Sequence, residues 1–168
     1  MGDGRGALLA RPQHDRRRYR LRRGLPRAAR AQAARGAAGW TRVRYSPTVV
    51  DHFLNPRNAG LMREPDGVGE DEYEGCGDLA RFFLRVADGR ARELRFQTYG
   101  CGPTIAAASV ASERLVGRAV EDLVNVKADE IERALDGLPE ERRHAADVVA
   151  GAVRAAALDH LRRRNGHV

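Results

Sequence analysis

The chain has 168 residues, a formal net charge of +7 and only two cysteines. That length holds one domain plus an extension, and no apolar run is long enough to cross a membrane. Two cysteines are too few for a disulfide scaffold and no secretory apolar segment precedes them, so a reducing cytoplasm is the expected compartment.

The positive charge is not spread evenly. Residues 1–44 contain thirteen Arg and only two acids, Asp3 and Asp15. Residues 45–168 hold 17 basic and 21 acidic residues, so the remainder is mildly acidic. A nucleic-acid-binding surface on the folded part is therefore not expected.

Residues 1–44 have few large apolar residues, no sustained period and much Arg, Ala and Gly. Such a segment cannot bury enough surface to offset its ordering entropy and is read as disordered. Three origins stand side by side. It is a basic arm for nucleic acid or anionic lipid, a transit peptide (against which its lack of Ser counts), or GC-rich upstream sequence with Val43 as the true start. The domain itself is taken as 45–164.

Ser46-Pro47 reads as an N-cap followed by a first-turn proline. The helix behind it would turn Val49, Val50, Phe53 and Leu54 to one face and stop at Asn55-Pro56. Residues 57–75 are polar, acidic and Gly-rich, a loop or a short edge strand. L-A-R-F-F-L-R-V-A and A-R-E-L-R-F-Q-T are two strands joined by a D-G turn. A helix is predicted from Pro103 to Val116 with Gly117 as terminator. Two short helices follow, the second closed by Gly137, and a last amphipathic helix spans Ala145 to Arg163 with Val148, Val149, Ala152, Val153 and Ala156 inward. Strands first and helices after indicate an α+β fold.

Both cysteines are flanked by glycines, in E-G-C-G-D and Y-G-C-G-P. Cys101 would sit just before a helix N-terminus, where free amides and the dipole favour a thiolate. Gly100 and Gly102 would keep side chains off the sulfur. Cys76 and Asp78, two apart, share a face if the chain is extended. Cys76 enters the first strand of the hairpin and Cys101 leaves the second, so antiparallel pairing brings them together at one exposed site. Taken singly, a lone Cys is most often a buried small hydrophobe, a lone Asp after Gly a turn residue, and a lone His such as His144 a solvated side chain.

Four stretches together resemble the NifU/IscU-type scaffold proteins of iron–sulfur cluster assembly. They are Y-S-P-T-V-V-D-H-F-L-N-P-R-N-A-G (45–60), G-C-G-D (75–78), Q-T-Y-G-C-G-P-T-I-A (97–106) and G-L-P-E-E-R-R-H (137–144). The resemblance implies a small three-stranded antiparallel sheet with helices packed on one side. It implies a non-enzymatic carrier that holds iron or a [2Fe–2S] cluster transiently. The site residues it implies are Cys76, Asp78, Cys101 and His144, and zinc can take the same ligands. The partners it implies are a cysteine desulfurase and acceptor apoproteins; a homodimer stays open.

Two departures stand out. The family's third cysteine follows the His, where this chain has Ala145 at an expectedly exposed helix start. Leu138-Pro139-Glu140-Glu141-Arg142 also differs from the stretch gripped by the Hsp70-type chaperone, which speaks against handover by that route. A cluster wants four protein ligands, although Rieske centres manage with two thiolates and two imidazoles. Cys76, Cys101, Asp78 and His144 also make an adequate tetrahedral zinc set. The alternative to a scaffold is a degenerate paralogue, a zinc-binding or regulatory module without assembly. A dithiol redox protein using Cys76 and Cys101 is the third reading.

Overall fold

The computed structural model describes residues 45–75 and 77–166, which belong to the unit Val43–Val168. The expected disorder of residues 1–44 and the position of Cys76 lie outside the described residues. No described helix is long and apolar enough to cross a membrane.

Helix α1 (Pro47–Leu54) starts where the sequence places it: the Ser46 side chain accepts from the Val49 amide. The same hydroxyl donates to the Leu135 carbonyl, tying the entry of the domain to a later helix. Its inward face differs from the expected one. Val49 is buried, but Val50 and Leu54 are 44% and 67% exposed. His52 is buried instead, beside the half-buried Phe53. Positions 49, 52 and 53 follow helical spacing, and His52 is tolerated inward because Ser109 meets its Nδ1 at 2.8 Å.

Strands β1 (Gly67–Tyr73), β2 (Asp78–Ala87) and β3 (Arg90–Tyr99) form one antiparallel sheet in the order β1-β2-β3. The β2–β3 turn, Asp88-Gly89, has both residues at positive φ (52° and 70°), as a two-residue hairpin requires. On β2, Asp78, Ala80, Phe82 and Leu84 alternate onto one buried face, joined by Leu94 and Phe96 of β3. Each large side chain buried there contributes about 1.5–3 kcal/mol. Among the outward residues, Arg81 pairs with Glu70 and Arg85 with Glu93 across the strands, contacts worth little in water.

Helices α2 (Gly102–Arg114), α3 (Val120–Leu123), α4 (Ala128–Ala134) and α5 (His144–Asn165) follow, with a 3₁₀ turn at Glu140–Arg142. Gly117 and Gly137 take positive φ at the ends of α2 and α4. Helix α5 lies on β1 and β2, and α2 lies on β3. The seam between α5 and β1 is unusually close. A Cβ on Gly69 would fall 2.1 Å from the Ala156 amide nitrogen, and one on Gly67 would fall 2.3 Å from the Ala156 carbonyl. Backbone meets backbone because α5 turns Ala145, Ala146, Ala150, Ala152, Ala156 and Ala157 inward. The architecture is the expected α+β one: three antiparallel strands with helices.

Candidate metal centre

Three elements meet at the hairpin's open end. Leu79 pairs with Tyr99 and Tyr73 with Asp78, so β1 ends and β2 starts beside the point where β3 leads into α2. Asp78 opens β2 on its buried face and is only 2% exposed. Cys101 is the N-cap residue of α2, and His144 is the first residue of α5. Their ligand atoms lie within 4.8 Å of one another. Topology called for Cys76, Asp78 and Cys101 to meet, and the resemblance added His144; the structure brings Asp78, Cys101 and His144 together. Cys76, the fourth candidate, lies outside the described residues.

Asp78 is the hub. Its Oδ1 accepts the Cys101 amide at 3.1 Å. Its Oδ2 accepts the Cys101 thiol at 3.1 Å and the Thr104 hydroxyl at 2.6 Å, and His144 Nε2 lies 3.3 Å from the same oxygen. The Cys101 side chain makes no capping bond of its own, so Asp78 caps α2 from the neighbouring strand. A carboxylate at a helix N-terminus is stabilised by the free amides and the dipole.

That arrangement corrects two expectations. The site is half-buried rather than open, because Asp78 belongs to the core face of β2. The Cys101 thiol is pushed up from its ordinary pKa, chiefly by burial. The Thr104 hydrogen bond pulls it back down, and the Asp78 carboxylate opposes ionisation again. At the positive end of α2 the Asp78 carboxylate offsets part of the dipole's pull on the thiolate. A bound cation would reverse this balance, since ligation removes the proton.

The glycines flanking Cys101 also make room for neighbouring groups. A Cβ on Gly100 would lie 2.4 Å from Asp78 Oδ1, and one on Gly102 would lie 3.3 Å from the Phe53 ring. Gly100 thus admits the carboxylate, and Gly102 admits α1. Ala145 is fully buried (0% exposed), not exposed as expected, because the first turn of α5 already faces the core.

Two site residues escaped the sequence reading. Tyr73 stacks on His144, with ring centroids 4.5 Å apart and an interplanar angle of 16°. Thr104 is buried within reach of both Asp78 and Cys101. A hydroxyl three residues after a helix-capping Cys, in an otherwise Ala-rich helix, was the available signal for Thr104. Nothing in the sequence marked Tyr73.

Carboxylate, thiol and imidazole on one small volume form a metal-binding donor set, suited to iron or zinc. Residues 44–167 match the family described as the NifU-like N terminal domain.

The chain belongs to that family.

It is 40% identical over 124 residues to the iron-sulfur cluster assembly scaffold protein IscU 1 of Archaeoglobus fulgidus, covering 74% of this chain and 80% of that one. It is 34% identical over 119 residues to the IscU scaffold protein of Aquifex aeolicus, covering 70% of this chain and 76% of the other. In three dimensions it resembles a NifU-like N-terminal protein from Brucella abortus, with a TM-score of 0.57 at 19% identity. That match covers 70% of this chain and 94% of the other, and it supports the fold alone.

Proposed function

We propose that this protein is an iron–sulfur cluster assembly scaffold. The observation that carries this reading is the convergence of Asp78, Cys101 and His144 within 4.8 Å, in a chain 40% identical to proteins named as such scaffolds. The degenerate-paralogue alternative is not favoured by that likeness.

Iron and sulfide, as a [2Fe–2S] cluster, are the cargo. Cys101 supplies a thiolate, His144 an imidazole and Asp78 an oxygen donor; the resemblance adds Cys76 as a second thiolate. The thiol proton of Cys101 is directed at Asp78 Oδ2, and binding of iron would displace it. Oxygen is a weaker donor to iron than sulfur, so a centre containing Asp78 and lacking a third thiolate at residue 145 holds its cargo loosely. Loose binding suits transfer to acceptor apoproteins. Sulfur would come from a cysteine desulfurase, with Cys76 or Cys101 accepting it. Zinc would compete for the same donors. The role is that of a carrier rather than an enzyme, and the cytoplasm is the proposed compartment.

Anaerobic reconstitution with iron and sulfide tests the reading. The expected result is sulfide-to-iron charge-transfer absorption that is lost in Cys101→Ala. A protein that stays colourless while binding zinc tightly would replace the scaffold with the zinc-binding module.

A further inference from the structure

Thr104 is fully buried in a helix in which half of the other buried residues are alanines. A buried hydroxyl is retained only where it has a partner. Its partner is Asp78 Oδ2, at 2.6 Å, and its oxygen also lies 3.3 Å from Cys101 Sγ. The side chain therefore touches two of the three candidate ligand groups.

The two Asp78 oxygens are held differently. Oδ1 takes the Cys101 amide and packs where Gly100 leaves no room for a Cβ. Oδ2 takes Thr104 and is the oxygen turned toward the Cys101 thiol and the His144 ring. A carboxylate engaged at both oxygens by α2 cannot rotate. Its rotamer, and hence the direction of the Oδ2 lone pairs, depends on the Thr104 hydroxyl.

We propose that Thr104 is a positioning residue for the cargo metal: its buried hydroxyl pins Asp78 so that Oδ2 alone faces the space shared by Cys101 and His144. The proposal rests on the scaffold reading and adds to it a residue that acts through Asp78. Hydrogen-bonding partners of ligating groups typically matter by about ten- to a hundredfold in metal affinity.

The test uses the full chain and cobalt(II) alone as probe, added anaerobically in competition with a chromophoric chelator. Cobalt reports coordination through its d–d bands and Cys101 through thiolate charge transfer. Thr104→Val removes the hydroxyl and keeps the shape; Thr104→Ser keeps the hydroxyl. Thr104→Val should lose about tenfold or more in cobalt affinity, with an altered d–d envelope. Thr104→Ser should restore both toward the parent. Should Thr104→Val fold poorly by thermal melting, Thr104→Ala serves in its place, since the helix already carries alanines inward. A folded hydroxyl-free variant with the parent's affinity and spectrum overturns the proposal, and so does a Ser variant that behaves like Val. A parent that takes up no cobalt removes the scaffold reading as well, an outcome distinct from a binding parent with an indifferent variant.

Discussion

Tyr73 and His144 stack face to face at 4.5 Å, and the stack joins the end of the edge strand to the start of the last helix. The imidazole is held across its face by this ring and at Nε2 by Asp78, 3.3 Å away. Space for the tyrosine is made by Gly75, where a Cβ would lie 2.6 Å from the ring. Such aromatic pairs are worth about 0.5–1.5 kcal/mol beyond their buried area. Tyr73→Ala should weaken zinc binding by up to about tenfold in chelator competition, through a less ordered His144. Tyr73→Phe should bind as the parent does, because the ring and not the hydroxyl makes the contact. Equal affinity in Tyr73→Ala would show that the stack is incidental.

Asp78 has two roles that pull in opposite directions. As an oxygen donor it favours release, so Asp78→Ala should lengthen the life of a reconstituted cluster, followed by the decay of its visible absorption. As the cap of α2 it satisfies the Cys101 amide and the buried Thr104 hydroxyl. Leaving such groups unpaired costs about 1–3 kcal/mol each. The variant should therefore melt several degrees below the parent. An unchanged melting temperature would contradict the capping role.

Ala145→Cys places a thiol where the resemblance expects one, beside His144. It should prolong cluster retention and ease acceptance of persulfide sulfur. Because Ala145 is fully buried, the added atom also needs room, and overpacking typically costs about 1–3 kcal/mol. Longer retention with a lower melting temperature is the expected pair of results. No gain in iron and sulfide binding would show that the site has diverged beyond that one residue.

Acid should loosen α1. The Arg57 amide donates to Ser109 Oγ, and the same oxygen lies 2.8 Å from His52 Nδ1. The other ring nitrogen, Nε2, lies 3.9 Å from Glu113. Burial holds the His52 pKa below its ordinary 6.5; Arg57 and Arg114 push the same way, and Glu113 and Asp51 oppose them. A depressed folded pKa means that the unfolded chain binds the proton first. The stabilising contribution is present above about pH 6.5 and declines as pH falls below it toward the folded value. Melting temperature should drop across that window, and His52→Asn, which can still pair with Ser109, should flatten the drop. A parallel decline in the variant would assign the effect to other groups.

Legibility of the fold followed the size of the side chains involved. Ser46-Pro47, the Asp88-Gly89 turn and the large residues of β2 and β3 announced themselves, because each carries a strong local preference or an alternating apolar pattern. Strand β1 did not. Its inward residues, Gly67 and Gly69, have no side chain to alternate, since α5 presses on the backbone there. In helix α1 apolar character does not track burial: Val50 and Leu54 are exposed, while His52 is held inward by a hydrogen bond made 57 residues away. In the site, Asp78, Cys101 and His144 were legible from motif and topology. Thr104 and Tyr73 act through tertiary contacts, which short-range spacing does not encode.

The seam of Gly67, Gly69 and the α5 alanines also sets how errors travel. Helix α5 begins at His144, and β1 ends at Tyr73, so the two surfaces in backbone contact carry the stacked pair at their common end. A single methyl group added at Gly69 cannot be absorbed by a neighbouring side chain, because the atoms it meets are main chain. The helix must lift or tilt as a rod, and its first residue moves with it. A small-residue change in the interior would thus be felt at the candidate site as a displaced imidazole, without touching Asp78, Cys101 or His144.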